Sequence, residues 1–360
     1  MQLHLVGGFL GSGKTTAIIG AAKRLMARGA RVGVVTNDQG RYLVDTAFVA
    51  GTNVPTVEVS GGCFCCHYDD LEARLEELER TAMPHAIFAE SVGSCADLVA
   101  TVIKPLADLK RIPTERTTFS VFTDIRLLRR RLDGESMPFS DNVVYIFDQQ
   151  IEEAGLLILN KADLLGADEA RRVERIAREL YPSKTVRLQN SLDGDAVGAW
   201  LRLLEQPAGA ARADAIEIDY SRYGAGEAEL AWLDQKIRLT APRGRLREAV
   251  VALIGGLLDG IRERRIPIGH VKFLLRCGDE EVKISSTSGD AAQWRDEVPP
   301  MFGREATVVV NARVQAGATV LEELAAAALE RARAHSGARC LSVETDCFHP
   351  GFPRPTHRIG

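Results

Sequence analysis

The chain lacks an excess of charge of either sign. Its 45 Lys and Arg face 49 Asp and Glu, for a net charge of -4, so no global basicity points to nucleic acid. The arginine runs at 129–131 and 262–265 read as solvated helix faces. Long apolar runs are also missing. The longest, AVVALIGGLL at 249–258, is about half of the ~20 residues a bilayer requires and is bracketed by charges, which excludes a membrane-spanning helix. MQLHLVGG passes straight from a strand pattern into a glycine turn, with no signal-peptide pattern. Aromatics are scarce at 6%, and neither internal repeats nor low-complexity tracts occur. The seven cysteines are an odd number in a chain of 360 residues, which favours reduced thiols and a cytoplasmic location over a disulfide framework.

What is present is a regular alternation. Apolar, β-rich runs occur at 2–7, 32–36, 54–59, 86–90, 117–123 and 155–160. Helical patterns lie between several of them, including 15–28, stopped by Gly29, and DLEARLEELERTA from 70. Such an order predicts an α/β fold, a mostly parallel sheet with helices on both faces. The pattern ends near Leu204, and EQPAGAARA at 205–213 has the composition of a linker. Beyond it the order becomes β-α-β-β-(β)-α-β, which predicts a smaller α+β domain of the split βαβ type. The expected division is therefore 1–204, a linker at 205–213, and 214–360.

The strongest motif is GFLGSGKT at 8–15, a match to G-x-x-x-x-G-K-[ST] between a strand and a helix. Gly8, Gly11 and Gly13 let the backbone curl so that its N–H groups, with those of Ser12 and Thr16, face phosphate oxygens. Lys14 reaches the β- and γ-phosphates, and Thr15 ligates Mg²⁺ at a helix N-terminus that favours an anion. The motif predicts a P-loop binding a nucleoside triphosphate. LLILNKADLL places Asn160, Lys161 and Asp163 at the end of a buried strand. A carboxylate there accepts from both N1–H and the exocyclic amine of guanine, so GTP and GDP are expected over ATP, and an ATP-using small-molecule kinase is disfavoured. QNSLDG at 189–194 lies where a further base-contacting loop is expected. Asp38 and Glu90 both follow strands, where loops converge on phosphates. Glu90 is expected to hold Mg²⁺ through water, Asp38 to approach Mg²⁺ on loop closure, and Gly93 to sense the γ-phosphate through its N–H. Lys14, Thr15 and Glu90 are then the catalytic set. No water-activating base or arginine finger stands out, so hydrolysis of GTP to GDP and phosphate is expected to be slow.

SGGCFCC crowds Cys63, Cys65 and Cys66 into four positions. In extended backbone Cys66 points away from the other two; all three converge only if the loop turns, which Gly61 and Gly62 make easy. The result is a three-thiolate site with an open fourth position, suited to Zn²⁺ or Co²⁺. Small buried hydrophobes or a redox pair are the alternative. Cys95 joins this cluster or, by the commoner pattern, is a buried structural thiol.

Together, GGFLGSGKTT, NDQG, SGGCFCC, ESVG and QIEEAGLLILNKADLL resemble the CobW-type GTPases, relatives of the urease and hydrogenase nickel-insertion GTPases, over roughly the first two hundred residues. IGHVKFLL and the strands after it resemble that family's C-terminal domain in a diverged form. The resemblance implies a GTP-dependent metallochaperone that delivers Zn or Co, or assists assembly of a metal or cobalamin centre, with a client metalloprotein as partner. The alternative is a GTP-dependent conformational activator of a metalloenzyme or corrinoid protein that carries no metal itself, or a metal buffer with a vestigial nucleotide site. A homodimer is compatible with either. The chain departs from the family in Gln39 and Arg41, where an aromatic and an acid are common, and it has no long histidine-rich store. The terminal ETDCFHPGFPRPTHR carries Cys347, His349 and His357; a proline-rich tail packed on the smaller domain is expected, with metal ligation or client docking as the alternative.

Overall fold

A computed structural model describes residues 1–40, 44, 54–110, 116–206, 214–288 and 294–360. Residues 207–213 of the expected linker, and Arg41, lie outside the described residues. Two compact units are present: Met1–Gln39, Asp45–Gly226 and Phe352–Gly360 form one, and Gly40–Val44 with Glu227–Gly351 the other. Residues 214–226 and 352–360, expected with the second unit, lie with the first.

In chain order the first unit contains β1 (Gln2–Gly7), α1 (Lys14–Ala27), β2 (Val32–Asp38), β3 (Thr56–Ser60), α2 (Tyr68–Ala82) and β4 (Ala86–Glu90). A π-helical turn, Val99–Ile103, leads into α3 (Lys104–Lys110). Next come β5 (Thr117–Asp124), α4 (Ile125–Leu132), α5 (Asp141–Glu152), β6 (Leu156–Asn160), α6 (Ala167–Leu180), β7 (Thr185–Leu188), α7 (Gly194–Leu204) and α8 (Tyr220–Ala228), the last extending just past the boundary. The seven strands form one sheet in the order β3-β2-β4-β1-β5-β6-β7, parallel throughout. Every residue of β4 and β6 is buried, so both faces of the sheet are covered. Trp200 of α7 anchors one layer, its ring meeting Phe122 edge-on at 5.1 Å and its indole N–H donating to Ser120 Oγ at 3.1 Å. In α2 the buried Leu71, Leu75 and Leu78 recur at helical spacing, and Asp69 and Asp70 sit in the first turn, where the helix dipole favours acids.

The second unit contains β8 (Leu230–Thr240), α9 (Leu246–Glu263), β9 (Ile268–Cys277), β10 (Glu280–Ser286), β11 (Glu305–Gln315), α10 (Ala318–Ser336) and β12 (Arg339–Phe348). Its sheet runs β10-β9-β11-β8-β12, antiparallel at every pairing. The split βαβ order read from the sequence is thus present. Gly256 lets α9 and α10 approach closely; a Cβ there would lie 2.9 Å from Ala328 Cα. Arg313 and Asp234 form a fully buried ion pair at 2.7 Å, with Arg313 over the Trp232 ring at 4.2 Å.

In the parallel sheet Gly7, Asp38, Glu90, Asp124 and Asn160 end or nearly end their strands at the carboxyl edge. Ligand sites of open α/β sheets lie outside that edge.

Candidate functional site

The turn between β1 and α1 is built by three glycines in the left-handed region: Gly8 at φ 123, Gly11 at φ 72 and Gly13 at φ 92. Two of them are also required by space. A Cβ on Gly8 would fall 2.0 Å from the Phe122 carbonyl oxygen, and one on Gly13 would fall 2.4 Å from Asn160 Nδ2. Lys14 is buried, and its ammonium donates to the Gly8 carbonyl at 2.8 Å, folded over the loop it serves. The Thr15 hydroxyl donates to Glu90 Oε1 at 2.8 Å. Two of the residues expected to organise Mg²⁺, on α1 and at the end of β4, are therefore already together. Ser12 is buried within the turn, with no hydrogen bond to its hydroxyl among the described residues, and Thr16 is half-buried beside Lys14. A cradle of backbone donors, one ammonium and a hydroxyl–carboxylate pair fits a phosphate chain with its divalent cation.

Asn160 is bonded within the protein at both ends of its amide. Its Nδ2 donates to the Ser12 carbonyl at 2.7 Å, and its Oδ1 accepts from Ser191 N at 3.1 Å and Ser191 Oγ at 2.8 Å. It ties the glycine turn to the 189–194 loop, which is how that loop reaches the site. Lys161 has a left-handed backbone, φ 60, and its ammonium pairs with Asp124 at 3.0 Å. Asp163 is exposed in the short turn that follows.

Asp124 is a residue the sequence reading missed. It ends β5 beside Asn160, caps α4 through the Arg126 N–H, and binds the Arg126 guanidinium as well as Lys161. Burial pushes its carboxyl upward, but the hydrogen bonds and charges of Arg126 and Lys161 outweigh this and hold it below the usual range. A lone acid at the end of a β-rich run was the only signal in the sequence.

Gly93 lies against the glycine turn: a Cβ there would be 3.0 Å from Leu10 Cα and 3.1 Å from Leu10 N. Gln150 fixes this loop by donating to the carbonyls of Gly93 at 3.1 Å and Cys95 at 2.8 Å. Asp38 ends β2 and is half-buried.

The thiol loop does turn. Cys66 N and His67 N both donate to the Cys63 carbonyl, at 3.0 and 2.9 Å, so the chain curls and brings the three sulfurs within 4.8 Å of one another. Cys63 and Cys65 sulfurs are 2.8 Å apart, and Cys65 and Cys66 sulfurs 3.8 Å apart. The second residue missed from the sequence holds this loop in place. Asn37, next to Asp38 on β2, donates to the Val59 and Gly62 carbonyls at 2.9 and 2.6 Å and accepts from Phe64 N at 3.0 Å. The NDQG segment and the thiol loop are thus mechanically joined. Within the cluster, hydrogen bonds from Cys65, Cys66 and Cys95 favour a thiolate at Cys63 and lower its pKa, while Cys65 is raised by sharing its proton and Cys66 is raised to about 11. Three sulfurs converging in one loop are a donor set suited to a soft or borderline cation. Cys95 is fully buried, and it is not part of the group of three sulfurs that lie within 4.8 Å of one another.

The terminal segment differs from the expectation. Cys347 donates to the Ala318 carbonyl at 3.4 Å and His349 accepts from Ala318 N at 3.1 Å, both inside the second unit. Residues 352–360 instead lie on the first unit, along the thiol loop. Arg354 N donates to Cys66 Sγ at 3.2 Å and Thr356 N to the Cys65 carbonyl at 2.8 Å. His357 packs edge-on against Tyr68, and Arg358 pairs with buried Asp97 at 2.8 Å.

Residues 2–187 match the family model described as CobW/HypB/UreG, nucleotide-binding domain. The chain belongs to that family. Similar proteins include the zinc chaperone CobW of a Sinorhizobium species, 27% identical over 208 residues that make up 51% of this chain and 56% of that protein. The zinc chaperone YeiR of Escherichia coli K12 is 29% identical over 184 residues, 48% of this chain and 50% of that one. The chain thus spans about half the length of the curated relatives it matches. Among solved structures, HypB from Helicobacter pylori in complex with nickel covers 61% of this chain and 92% of its own, with a TM-score of 0.42 and 15% identity.

Proposed function

We propose that this CobW/HypB/UreG-family chain is a GTP-hydrolysing metallochaperone of the cytoplasm. GTP with Mg²⁺ occupies the glycine turn. Gly8, Gly11, Ser12, Gly13, Lys14, Thr15 and Thr16 hold the phosphates, Thr15 and Glu90 organise Mg²⁺ with Asp38 joining on closure, and Gly93 responds to the γ-phosphate. Asn160, Lys161 and Asp163 meet the guanine, and Asn160 also positions the turn through the Ser12 carbonyl. Zn²⁺ or Co²⁺ is cargo, held by Cys63, Cys65 and Cys66 and passed to a client metalloprotein. Two of the relatives are zinc chaperones by name, which supports Zn²⁺ first.

The observation that carries this reading is the Asn37 bridge, which binds the converged thiols to the strand ending in Asp38. Movement of Asp38 toward or away from Mg²⁺ then pulls on the metal loop. Linkage requires the converse as well: metal must alter nucleotide affinity by the same factor. The test is a Zn²⁺ titration of the full chain with GDP and with a non-hydrolysable GTP analogue. The expected result is one Zn²⁺ per chain, at affinities differing by about 5–150-fold between the two nucleotides. Equal affinities would refute the switch, and client activation that survives serine at all three positions would refute carriage of metal.

A further inference from the structure

Residues 352–360 touch two segments of the first unit that the proposed function uses. At one end they hold the thiol loop. Arg354 N donates to Cys66 Sγ at 3.2 Å, and Thr356 donates from N to the Cys65 carbonyl at 2.8 Å and from Oγ1 to the Cys66 carbonyl at 3.3 Å. At the other end they hold the segment after Gly93. Arg358 Nε donates to Asp97 Oδ2 at 2.8 Å, and Ile359 N donates to the Ala100 carbonyl at 2.9 Å. Pro353 and Pro355 flank Arg354; each fixes its own φ and lacks an N–H, so the segment is stiffened without loss of the donors it uses.

Asp97 is the anchor. It is 1% exposed, stands four residues after Gly93, and has a left-handed backbone at φ 65. Such a conformation persists only where surrounding contacts over-determine it. Its Oδ2 accepts from Arg358 and, at 2.7 Å, from the Tyr220 hydroxyl, while among the described residues Oδ1 has no hydrogen bond. Removing Arg358 therefore strands a buried carboxylate without its cation. Ser94, Cys95 and Ala96, between Gly93 and Asp97, are all buried. A close-packed stretch of this kind passes a displacement on and does not absorb it.

We propose that Arg358 is a positioning residue: it latches residues 352–360 to Asp97 and so carries the nucleotide state sensed at Gly93 to the thiol loop, where the same segment restrains release of the ion. This rests on the readings of Gly93 as the γ-phosphate sensor and of Cys63, Cys65 and Cys66 as a metal site. In one nucleotide state the latch is closed and the Arg354 and Thr356 donors hold the loop. In the other, Asp97 is displaced, the strap loosens and the ion leaves faster. The route is separate from the Asn37 bridge, which joins the thiol loop to β2.

The test is the rate at which Zn²⁺ passes from the full-length protein to a chromogenic chelator, with GDP and with a non-hydrolysable GTP analogue. In Arg358→Ala the slower of the two states should release about tenfold faster, the scale of one charged hydrogen bond, and the faster state should be unchanged. Arg358→Lys should restore most of the nucleotide difference, and Asp97→Asn, which keeps an acceptor and removes the charge, should behave like Arg358→Ala. Equal acceleration with both nucleotides would make Arg358 a structural contact only and overturn the latch, as would unchanged rates. Wild-type hydrogen exchange at residues 354–360 decides the matter even if the variants misfold, since protection there must differ between the two nucleotides. Protection independent of nucleotide, in a protein whose Zn²⁺ affinity does depend on it, overturns the latch alone. Failure of the wild type to bind stoichiometric Zn²⁺ overturns the latch and the metallochaperone reading together.

Discussion

Replacing Asp124 tests the link between the nucleotide edge and the helix behind it. Its carboxylate is 5% exposed and serves Lys161, 21% exposed, and Arg126, 17% exposed. A fully exposed pair would contribute about 0–1 kcal/mol, whereas removing one partner of a buried pair costs about 3–5 kcal/mol. With these exposures Asp124→Ala should cost about 2–4 kcal/mol, including about 1 kcal/mol for the lost α4 cap. That is a Tm lowered by roughly 5–10 °C by differential scanning fluorimetry. Asp124→Asn keeps a cap acceptor and isolates the charge. GDP affinity should also fall, because a released Lys161 must be ordered by the ligand at about 0.5–1.5 kcal/mol, roughly two- to tenfold in Kd. The pH dependence follows from the sign of the shift. The folded carboxyl is depressed, so its stabilisation is complete above the unfolded value near about 4 and is lost as pH falls through the folded pKa. The gap between wild type and Asp124→Asn should therefore narrow in acid. A variant with wild-type Tm at pH 7 and unaltered GDP binding would show that the pair behaves as an ordinary surface contact, and this reasoning would be wrong.

Other outcomes are equally specific. Gly93→Ala forces a methyl against the Leu10 backbone at 3.0–3.1 Å, so affinity for a fluorescent GTP analogue should drop by about 1–3 kcal/mol; wild-type affinity would refute contact between that loop and the turn. Zn²⁺ affinity should rise with pH, because Cys65 and Cys66 hold raised-pKa protons that the ion must displace. A plot of log K against pH around neutrality should have a slope of about 2 or more, and a flat plot would exclude these thiols as ligands. Truncation after Gly351 removes the Arg354 and Thr356 donors from the thiol loop. At about 0.5–1.5 kcal/mol per bond, about 1–3 kcal/mol for the two, metal transfer to a chromogenic chelator should accelerate by roughly fivefold or more; unchanged kinetics would mean the segment does not restrain the loop.

Local physics made much of this legible in the chain. A glycine turn between a buried strand and a helix admits few alternatives, since Gly8 and Gly13 stand where no Cβ fits. The alternation of strands and helices, then its replacement by a β-α-β-β-β-α-β order, was likewise written in hydrophobic periodicity. The three thiols and the Asn160–Asp163 stretch were recognisable as candidates because their residues are contiguous. What the sequence could not supply were contacts over long separations. Asn37 reaches a loop 25 residues away at Gly62, Asp124 meets Lys161 across adjacent parallel strands, and Arg354 reaches Cys66 over 288 residues. Residue type and spacing determine which chemistry a segment can perform; closure of the parallel sheet decides which segments perform it together, because only tertiary packing sets the distance between loops that leave the same edge.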